Sequence, residues 1–384
     1  MDQTQAGLHT PVGVAVTGQS TVKILLAGDW HSNVHETAVA DALAQLGHQV
    51  VSFAWHDYFA KNDKKYNKIK YLYVRVQDKF VTGPVLAVLN KDFVALACRE
   101  CPEAVFVYRG THIYADSLRE IKHALPGCVL VGYNNDDPFG PGQPRRLWRH
   151  FLAGLPIYDL TLAYRHQNVH EYKAHGARRV ELLRSWYIPG KSRPVELDSE
   201  QRDRYSCDVV FVGHYEPDQR VACLEAIVRR GWKLRLFGPG YHWDPVIRNN
   251  PLLKHLTPVR LVWGDDYNRA LSGAKLALCF LSKLNRDTYT RRCFEIPAAG
   301  TVLLSEYTDD LAGLYAPDKE AVYFRDEIEL MEKLELYLGD DARRIEVAHA
   351  GHQRVQADGH DVVSRMRQVV AWIAECRGAH GAAA

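Results

Sequence analysis

The sequence predicts an α/β protein made of two doubly wound, Rossmann-like domains. Short apolar runs of strand length alternate with helical segments, which is the pattern of parallel sheets covered by helices on both faces. The alternation occurs twice, and a polar stretch that contains Pro194 and lacks an apolar period separates the two series. A chain of 384 residues with 47% apolar content is long enough to bury two cores of ordinary size.

The first series begins with an apolar run at residues 22–27, which is expected to be a strand. A turn at 28–33 and a helix at 34–46 follow, and Gly47 ends that helix. Because the turn does not spell G-x-G-x-x-G, no dinucleotide cofactor is indicated, and no other cofactor is expected. Further elements of this series are expected as strands at 48–53, 104–108, 128–132, 159–164 and 180–183, and as a helix at 114–124.

The second series repeats the pattern and ends in amphipathic helices, the first of which has Asp326 as its expected N-cap. Its strands are expected at 208–212, 233–237, 276–281, 301–305 and 321–324, and its helices at 224–230, 265–272, 309–315, 327–338, 342–355 and 362–376. The resulting division is a flexible tail at 1–20, a first domain at 21–188, a linker at 189–206, a second domain at 207–358, and a final helix with a tail at 359–384.

Composition argues against several classes of protein. A formal net charge of +2 argues against a nucleic-acid binder. The eight cysteines have no spacing that demands a disulfide framework, which fits a reducing compartment. No apolar run reaches membrane-spanning length, and residues 1–20 lack the basic start and apolar core of a secretion signal. We therefore expect a cytoplasmic protein, with peripheral contact at the inner face of the membrane as an open alternative.

One segment, residues 286–300, combines the side chains that a phosphorylated sugar ligand needs. It lies between two apolar runs of strand length, so it fills the loop and helix of a βαβ unit at the ligand-binding edge of a sheet. Arg286, Arg291 and Arg292 offer guanidinium groups for phosphate oxygens. Glu295 offers a carboxylate that can accept hydrogen bonds from two neighbouring ribose hydroxyls. The combination predicts a nucleotide-sugar site, and the alternative is a helix start whose arginines form surface ion pairs.

The same segment spells R-D-x-x-T-x-R-x-F-E-x-P-A-x-G, which resembles the signature of the spore-maturation CgeB-like group of GT-B glycosyltransferases. The wider family-4-like transferases carry two glutamates with seven residues between them, of which the second binds the nucleotide ribose. Glu295 matches the second glutamate, and Asp287 stands at the first position. The resemblance implies two domains that face each other across a cleft, with the donor on the second, the acceptor on the first and the last helix crossing back. The motif residues that it assigns to the donor are Arg286, Asp287, Thr290, Arg292, Glu295 and Gly300.

Other donor-side residues are expected at strand ends of the second domain. Gly213 lets a ligand approach the backbone just before a helix. Arg220 falls where the resemblance implies a basic group near the pyrophosphate, and Gly238 and Gly240 are expected to form the wall around the base. The side chains expected to stabilise the departing diphosphate are those of Arg220, Lys283, Arg286 and Arg292. This arrangement requires no metal ion.

Acidic and histidine side chains follow two predicted strands of the first domain. His31 and His35 have the spacing of a metal pair, but no third ligand is apparent, so we expect a solvated helix start. Asp136 and Asp137 have two alternative roles, binding the acceptor or capping the strand through an Asx turn. Asp136, Asp29 and His31 are the candidate catalytic groups, because an inverting enzyme needs a base for the acceptor hydroxyl.

The stretch at residues 58–80 differs from its surroundings because lysines and tyrosines interleave along it. Two functional interpretations are open, namely binding of an anionic acceptor and contact with an acidic membrane surface. The solvated face of an ordinary helix explains the pattern equally well.

Together these features predict a glycosyltransferase that moves a sugar from a UDP-, GDP- or dTDP-linked donor to a hydroxyl of a glycan, lipid-linked or protein acceptor. Two alternatives use the same fold. A nucleotide-sugar epimerase or hydrolase would act on its nucleotide sugar without an acceptor. A non-catalytic protein of cell-surface assembly would bind glycan or nucleotide without turnover. The oligomeric state and the stereochemical outcome are left open.

Overall fold

Two parallel β-sheets, one in each half of the chain, form the framework of the protein. The computed structural model describes residues 21–59 and 68–382. The tail expected at 1–20 and the lysines at positions 61, 64 and 65 lie outside these residues. The predicted fold class is confirmed, because the strand pairs in both sheets are parallel and helices connect the strands.

The first half of the chain alternates strands with helices. The strands are β1 (Lys23–Gly28), β2 (Gln49–Ala54), β3 (Ala104–Tyr108), β4 (Val129–Asn134), β5 (Leu160–Ala163) and β6 (Val180–Leu182). The helices are α1 (Glu36–Gln45), α2 (His56–Phe59), α3 (Lys68–Phe80), α4 (Pro84–Glu100), α5 (Ala115–Ala124), α6 (Arg145–Gly154) and α7 (His166–Ala174). The strand order is β2-β1-β3-β4-β5-β6, so the direction of winding reverses between β1 and β3. Doubly wound sheets bind their ligands outside the strand ends at this point.

The second half repeats the arrangement. Its strands are β7 (Cys207–Val212), β8 (Leu234–Phe237), β9 (Ala274–Cys279), β10 (Val302–Glu306) and β11 (Val322–Phe324). Its helices are α8 (Ser199–Tyr205), α9 (Arg220–Arg229), α10 (Gly240–Ile247), α11 (Asp265–Ser272), α12 (Arg292–Ala298), α13 (Asp309–Ala312), α14 (Glu327–Gly339), α15 (Asp341–Ala357) and α16 (Val362–Ala382), with a 3-10 turn at Lys254–Leu256. The strand order is β11-β10-β9-β7-β8, so the reversal falls between β7 and β9.

Apolar side chains join the two halves beside the predicted motif. Tyr164 and Trp186 of the first half belong to the same buried cluster as Tyr289 and Phe294 of the second. The rings of Tyr164 and Tyr289 stack with their centroids 4.7 Å apart, and the Tyr289 hydroxyl donates a 2.6 Å hydrogen bond to the Tyr164 carbonyl. This packing holds the loop between β9 and α12 against the first half.

The stretch expected to be a linker, residues 189–206, contains the helix α8. A capping box starts this helix, because the Asp198 side chain accepts from the Gln201 backbone at 2.8 Å and the Gln201 side chain accepts from the Asp198 backbone at 3.3 Å. The sequence analysis did not predict this helix, because the search for an apolar period overlooks a helix that is stabilised by its cap. The domain boundaries themselves stay a prediction.

The last helix, α16, returns to the first half of the chain. It packs on α1 and approaches β4 and β5. Met366, Val369, Val370, Ile373 and Cys376 lie buried in the same cluster as strand residues of the first sheet. The cover of the first sheet is therefore supplied partly by the end of the described chain.

Candidate functional site

Loops at the carboxyl ends of β7, β8 and β9 enclose a cavity of about 250 Å³. We call it the second-domain cavity. Its lining includes five residues that the sequence assigned to the donor, namely Gly213, Gly238, Thr290, Arg292 and Glu295. They are far apart in the sequence and meet because β7 and β9 are neighbours at the point where the strand order reverses.

Two glycines allow the strand ends behind this cavity to approach each other. A β-carbon on Gly238 would lie 2.2 Å from the carbonyl oxygen of Gly213, and one on Gly213 would lie 2.8 Å from the Phe211 ring. Both distances are well below the van der Waals contact of about 3.5 Å. A larger residue at position 238 would therefore push the ends of β7 and β8 apart, and one at position 213 would displace the Phe211 ring.

Glu295 lies in the first turn of α12, as the motif predicts. Its Oε2 accepts a 2.6 Å hydrogen bond from the Tyr267 hydroxyl, and its Oε1 lies 3.6 Å from Arg291 Nε. Burial and the Glu295 carboxylate raise the pKa of Tyr267 well above its ordinary range, so Tyr267 stays protonated and donates. Tyr267 therefore fixes one carboxylate oxygen, and lone pairs on the other remain available to a ligand.

Arg292 places a positive charge in the same wall. Its Nη2 donates to the Phe280 carbonyl at 3.4 Å, and its Nε is buried and has no hydrogen-bond partner among the residues that the structure describes. Unlike Arg286 and Arg291, it forms no ion pair with a described carboxylate. A guanidinium without a carboxylate partner beside a cavity is available to bind an anion.

Two cysteines adjoin Arg292. The Sγ atoms of Cys279 and Cys293 lie 3.8 Å apart, at the end of β9 and in the first turn of α12. The hydrogen bond with Cys293 and the positive charge of Arg292 lower the pKa of the Cys279 thiol. The neighbour of Arg292 on this side is therefore the Cys279 thiol and not a carboxylate.

The rim of the second-domain cavity is apolar on one side. Leu261 and Trp263 line it and are 46% and 70% exposed. Gly264 follows with a φ of 55°, a left-handed conformation that suits glycine, and precedes α11, which carries Tyr267. An exposed indole at the rim of a polar cavity offers a stacking surface for a planar base.

A second cavity, of about 140 Å³, lies between the two halves. We call it the interdomain cavity. Asp136 and Asp287 both line it, and Asp136 Oδ2 lies 2.6 Å from Arg109 Nη2. Thr290 and Arg291 line this cavity and the second-domain cavity as well. The two cavities therefore share a wall, and a ligand that fills one lies next to the other.

Burial governs titration in the interdomain cavity. It raises the pKa of Asp287 to about 6, although Arg165 Nε donates to this carboxylate at 2.8 Å. Burial, with the charge of Arg291, lowers the pKa of His35 to about 2. The His35 ring is therefore neutral, and its Nδ1 lies 2.9 Å from the Tyr108 hydroxyl.

A third cavity, of about 290 Å³, lies in the first half. We call it the first-domain cavity. Asp29 and His31 line it, and the Asp29 carboxylate lies 3.7 Å from His31 Nδ1 and 3.4 Å from His56 Nδ1. Asp136, the remaining candidate catalytic group, lines the interdomain cavity instead. The structure thus divides the three candidates between two cavities, and their catalytic role stays a prediction.

Metal ligation was weighed for His31 and His35 from their spacing. In the described residues no group of three or more histidine, cysteine, aspartate and glutamate side chains has the arrangement of a metal site. His35 donates to or accepts from Tyr108, while His31 lies beside Asp29. The two histidines therefore have different surroundings.

Six residues that the sequence assigned to the donor lie outside the second-domain cavity, namely Arg220, Gly240, Lys283, Arg286, Asp287 and Gly300, and of these Asp287 lines the interdomain cavity. Arg220 is buried and donates to the carbonyls of His214 at 2.9 Å and Leu281 at 3.3 Å, because the loop before α9 folds around it. Lys283 Nζ lies 3.0 Å from Glu306 Oε1. These two cations hold loops in place.

Arg286 and the two glycines have structural partners as well. The Arg286 guanidinium pairs with Asp137 at 2.6 Å and with Glu171 at 2.9 Å, both in the first half of the chain. Gly300 has a φ of 75° and follows α12, where it turns the chain into β10. A β-carbon on Gly240 would lie 2.4 Å from the Val259 carbonyl oxygen. These three residues were assigned to the donor from their positions in the sequence. In the structure, each of them has contacts within the protein instead.

Tyr267 and Trp263 line the second-domain cavity but carry no motif. Both flank the start of a helix that the sequence did predict, and the pair Asp265-Asp266 marks that start. The sequence signal that could have indicated Trp263 is an aromatic residue directly before a glycine, and this signal is weak. His214 also lines the cavity, and burial and Arg292 lower its pKa.

Comparison with known proteins agrees with this architecture. Residues 219–371 match the protein family described as glycosyl transferase-like. Sucrose-phosphate synthase from Thermosynechococcus elongatus has a similar structure, with a TM-score of 0.67 and 14% identity over 93% of this chain and 100% of that one. The chain has the GT-B fold of glycosyltransferases. Its second half, over the matched residues, is glycosyl transferase-like in sequence as well.

Two further GT-B structures have the same architecture. A glycosyltransferase from Rickettsia africae has a TM-score of 0.66 and 12% identity over 93% of this chain and 99% of that one. The Anabaena protein HepE, in complex with UDP-glucose, has a TM-score of 0.63 and 11% identity over 92% of this chain and 100% of that one. No curated protein sequence matches the chain. The expected GT-B fold is thus confirmed, and the CgeB-like subtype stays a proposal.

Proposed function

We propose that the protein is a CgeB-like glycosyltransferase that binds a nucleotide-sugar donor in the second-domain cavity and transfers the sugar to an acceptor hydroxyl. The observation that carries this proposal is the presence, in one cavity, of Glu295 held by Tyr267 and of the unpaired guanidinium of Arg292. A carboxylate accepts hydrogen bonds from neighbouring ribose hydroxyls, and a guanidinium binds phosphate oxygens. The two groups match two adjoining parts of a nucleoside diphosphate.

Each part of the donor has a counterpart in the cavity. The base stacks on Trp263 at the rim, and the ribose hydroxyls donate to Glu295. The diphosphate lies at Arg292, where Gly213 allows close approach to the backbone. The sugar then extends past Thr290 into the interdomain cavity, since Thr290 lines both spaces.

Two of the similar structures favour a UDP-linked donor among UDP-, GDP- and dTDP-sugars. HepE was crystallised with UDP-glucose, and also with UDP and glucose. We therefore propose a UDP-hexose as the first donor to test.

The proposed reaction breaks the bond between the anomeric carbon and the diphosphate oxygen. The diphosphate leaves with the electron pair, and Arg292 stabilises the negative charge that grows on it. The acceptor oxygen forms the new bond and loses its proton. Asp136 is the proposed base for that proton, because it is the carboxylate of the interdomain cavity with the larger exposure, 26% against 9% for Asp287.

Isothermal titration with UDP, GDP and dTDP tests the donor site directly. Glu295→Ala removes a charged acceptor from hydrogen bonds worth about 1.5 to 3 kcal/mol each. Affinity for the preferred nucleotide should fall about tenfold or more, since about 1.4 kcal/mol is a factor of ten. Glu200→Ala, at an exposed glutamate of α8, is the matched control and should leave affinity unchanged.

Steady-state kinetics then separate the roles of the two groups. Glu295→Ala should raise the Michaelis constant for the donor more than it lowers turnover, because ribose contacts persist through the reaction. Arg292→Ala should lower turnover, because it faces charge that develops in the transition state. A folded Glu295→Ala protein with unchanged nucleotide affinity would overturn the proposal. Product release from the donor without any acceptor would instead favour an epimerase or hydrolase.

A further inference from the structure

An apolar stripe lies on the outer face of α3. Leu72, Tyr73, Val76 and Phe80 are 64%, 53%, 44% and 38% exposed. At 100° per residue, these four positions fall within an arc of about 100° on the helix. The stripe is therefore continuous, and it faces away from the core.

The opposite face of the same helix packs on the first half of the chain. Val74 packs against the core, and the buried Gln77 accepts a 2.8 Å hydrogen bond from the Val85 backbone. The contacts of Val74 and Gln77 hold α3 in an orientation that leaves the stripe exposed. Solvent-exposed apolar stripes of this kind mark interaction surfaces, because isolated apolar residues are ordinary and contiguous ones are costly in water.

Basic side chains surround the stripe. Arg75 and Lys79 are exposed and lie along one edge of it. The Arg146 guanidinium of α6 lies 4.5 Å from the centre of the Phe80 ring, and Arg145 and Arg149 on the same helix are exposed. Arg149 also donates to the Val81 carbonyl at 2.5 Å, which ties α6 to the end of α3. We call the stripe with these basic residues the α3 face.

We propose that the α3 face docks on an anionic lipid bilayer. Apolar side chains flanked by arginine and lysine suit this occupant, because the chains enter the acyl boundary while the cations stay at the headgroups. Basic residues near an anionic surface add electrostatic attraction to the apolar contact. A protein partner would need acidic groups matched to each cation, whereas anionic headgroups supply a uniform negative layer.

Docking of this kind is peripheral. In the described chain, no single helix is long and apolar enough to cross a membrane, and only Tyr71–Phe80 taken together with Pro84–Glu100, across a 70° bend, passes that test. The second helix of this pair buries Leu86, Leu89 and Phe93 in the core. A spanning arrangement would therefore have to dismantle the first half of the fold.

The first-domain cavity adjoins the α3 face. Arg75 and Asp78 of α3 line it, as does Leu147 of α6. A molecule carried in the bilayer would thus meet this cavity beside the docked helix. The docking proposal goes beyond the transfer reaction and can be tested without it.

Vesicle sedimentation tests the docking with the full-length protein. The protein should sediment with vesicles of phosphatidylglycerol and phosphatidylcholine, and much less with phosphatidylcholine alone. The double variant Leu72→Glu/Val76→Glu should lower the partition coefficient on anionic vesicles at least tenfold, by placing two charges in the apolar contact. Raising the salt from about 0.1 M to about 1 M, where the Debye length falls from about 10 Å to about 3 Å, should also release the protein.

Ile328→Glu/Ile345→Glu is the matched control, since both isoleucines are exposed, at 73% and 64%, on α14 and α15 of the second half. This variant should bind vesicles like the unmodified protein. Equal binding by the Leu72/Val76 variant, or no binding by the unmodified protein, would overturn the proposal. Sedimentation velocity gives a further check, because a dimer that the Leu72/Val76 variant abolishes, without vesicle binding, would identify the α3 face as a self-interface. Nucleotide titration is independent of each of these results.

Discussion

Arg286 holds the buried carboxylate of Asp137 across the boundary between the two halves of the protein. Its Nε lies 2.6 Å from Asp137 Oδ2 and its Nη2 lies 2.8 Å from Asp137 Oδ1. The next residue, Asp287, accepts from Arg165, also in the first half. The motif thus supplies an arginine and an aspartate in succession, and the first half of the chain supplies an aspartate and an arginine to pair with them. This crossed pairing fixes the relative position of the motif and the first sheet, and leaves Arg292 as the motif cation for a ligand.

Arg286→Ala should destabilise the protein and leave nucleotide affinity unchanged. Asp137 is fully buried, so the substitution leaves a charge without its main partner, at a cost of about 3 kcal/mol in unfolding free energy. The value lies at the low end of the usual range because Arg286 itself is 32% exposed. Urea unfolding and nucleotide titration measure the two effects.

Arg119→Ala is the control for this substitution, because Arg119 and Asp116 form an exposed pair that should contribute less than about 1 kcal/mol. A stable Arg286→Ala protein with weakened nucleotide binding would instead restore Arg286 to the donor site.

Trp263→Ala should weaken nucleotide binding without loss of stability. The indole is 70% exposed, so little packing is lost. Stacking of a base on an aromatic side chain is worth about 1 to 3 kcal/mol, which corresponds to a loss of affinity of about fivefold to about a hundredfold. Tyr241→Ala, at a residue of the same half that is 72% exposed and does not line the second-domain cavity, should have no effect. Equal losses in both variants would argue against stacking on Trp263.

Asp136→Asn should lower turnover and leave donor affinity unchanged. The residue lines the interdomain cavity beside Arg109, on the acceptor side of the shared wall. Loss of a general base lowers turnover by about a hundredfold or more. Asp116→Asn, at an aspartate that is 92% exposed, is the control. Normal turnover at saturating donor with weakened donor binding would contradict the assignment.

Asp287 should give stability a specific pH dependence. Its native pKa of about 6 lies above the ordinary value of about 4, so between these values the folded state binds more protons than the unfolded state. Stability contributed by this group therefore rises as the pH falls from about 6 to about 4, by at most about 3 kcal/mol. The difference in unfolding free energy between the unmodified protein and Asp287→Asn, measured by urea at several pH values, isolates the effect. A difference that stays constant across this range would contradict it.

The fold was predictable because buried parallel strands leave a strong signal. Runs such as residues 276–281 are apolar on both faces, and both faces of each sheet are covered. The position of Glu295 was predictable too, because the motif lies between two consecutive strands, β9 and β10, and those strands fix where its loop and helix begin and end. Its partner Tyr267 was not, because contact between α11 and α12 depends on how both pack on β9.

Charged side chains were the hardest to assign. Arg220, Lys283 and Arg286 occur beside the ligand-binding edge, and a cation there suits either a phosphate or a carboxylate of the protein itself. The sequence does not reveal that Glu306, Asp137 and the carbonyl of His214 lie within reach. Such partners come from distant parts of the chain. Only the folded structure therefore shows that Arg292 lacks a carboxylate partner while the neighbouring cations have partners within the protein.

The return of α16 to the first half also fixes an order of events during synthesis. Residues 21–182 leave the ribosome long before Met366, Val369 and Ile373, which supply part of the cover for the first sheet. The second half has all its own strands by residue 324, so it can complete its sheet earlier than the first half can complete its core. The half that is translated first is thus the last to be finished, and a nascent chain carries an uncovered apolar surface until its final helix emerges.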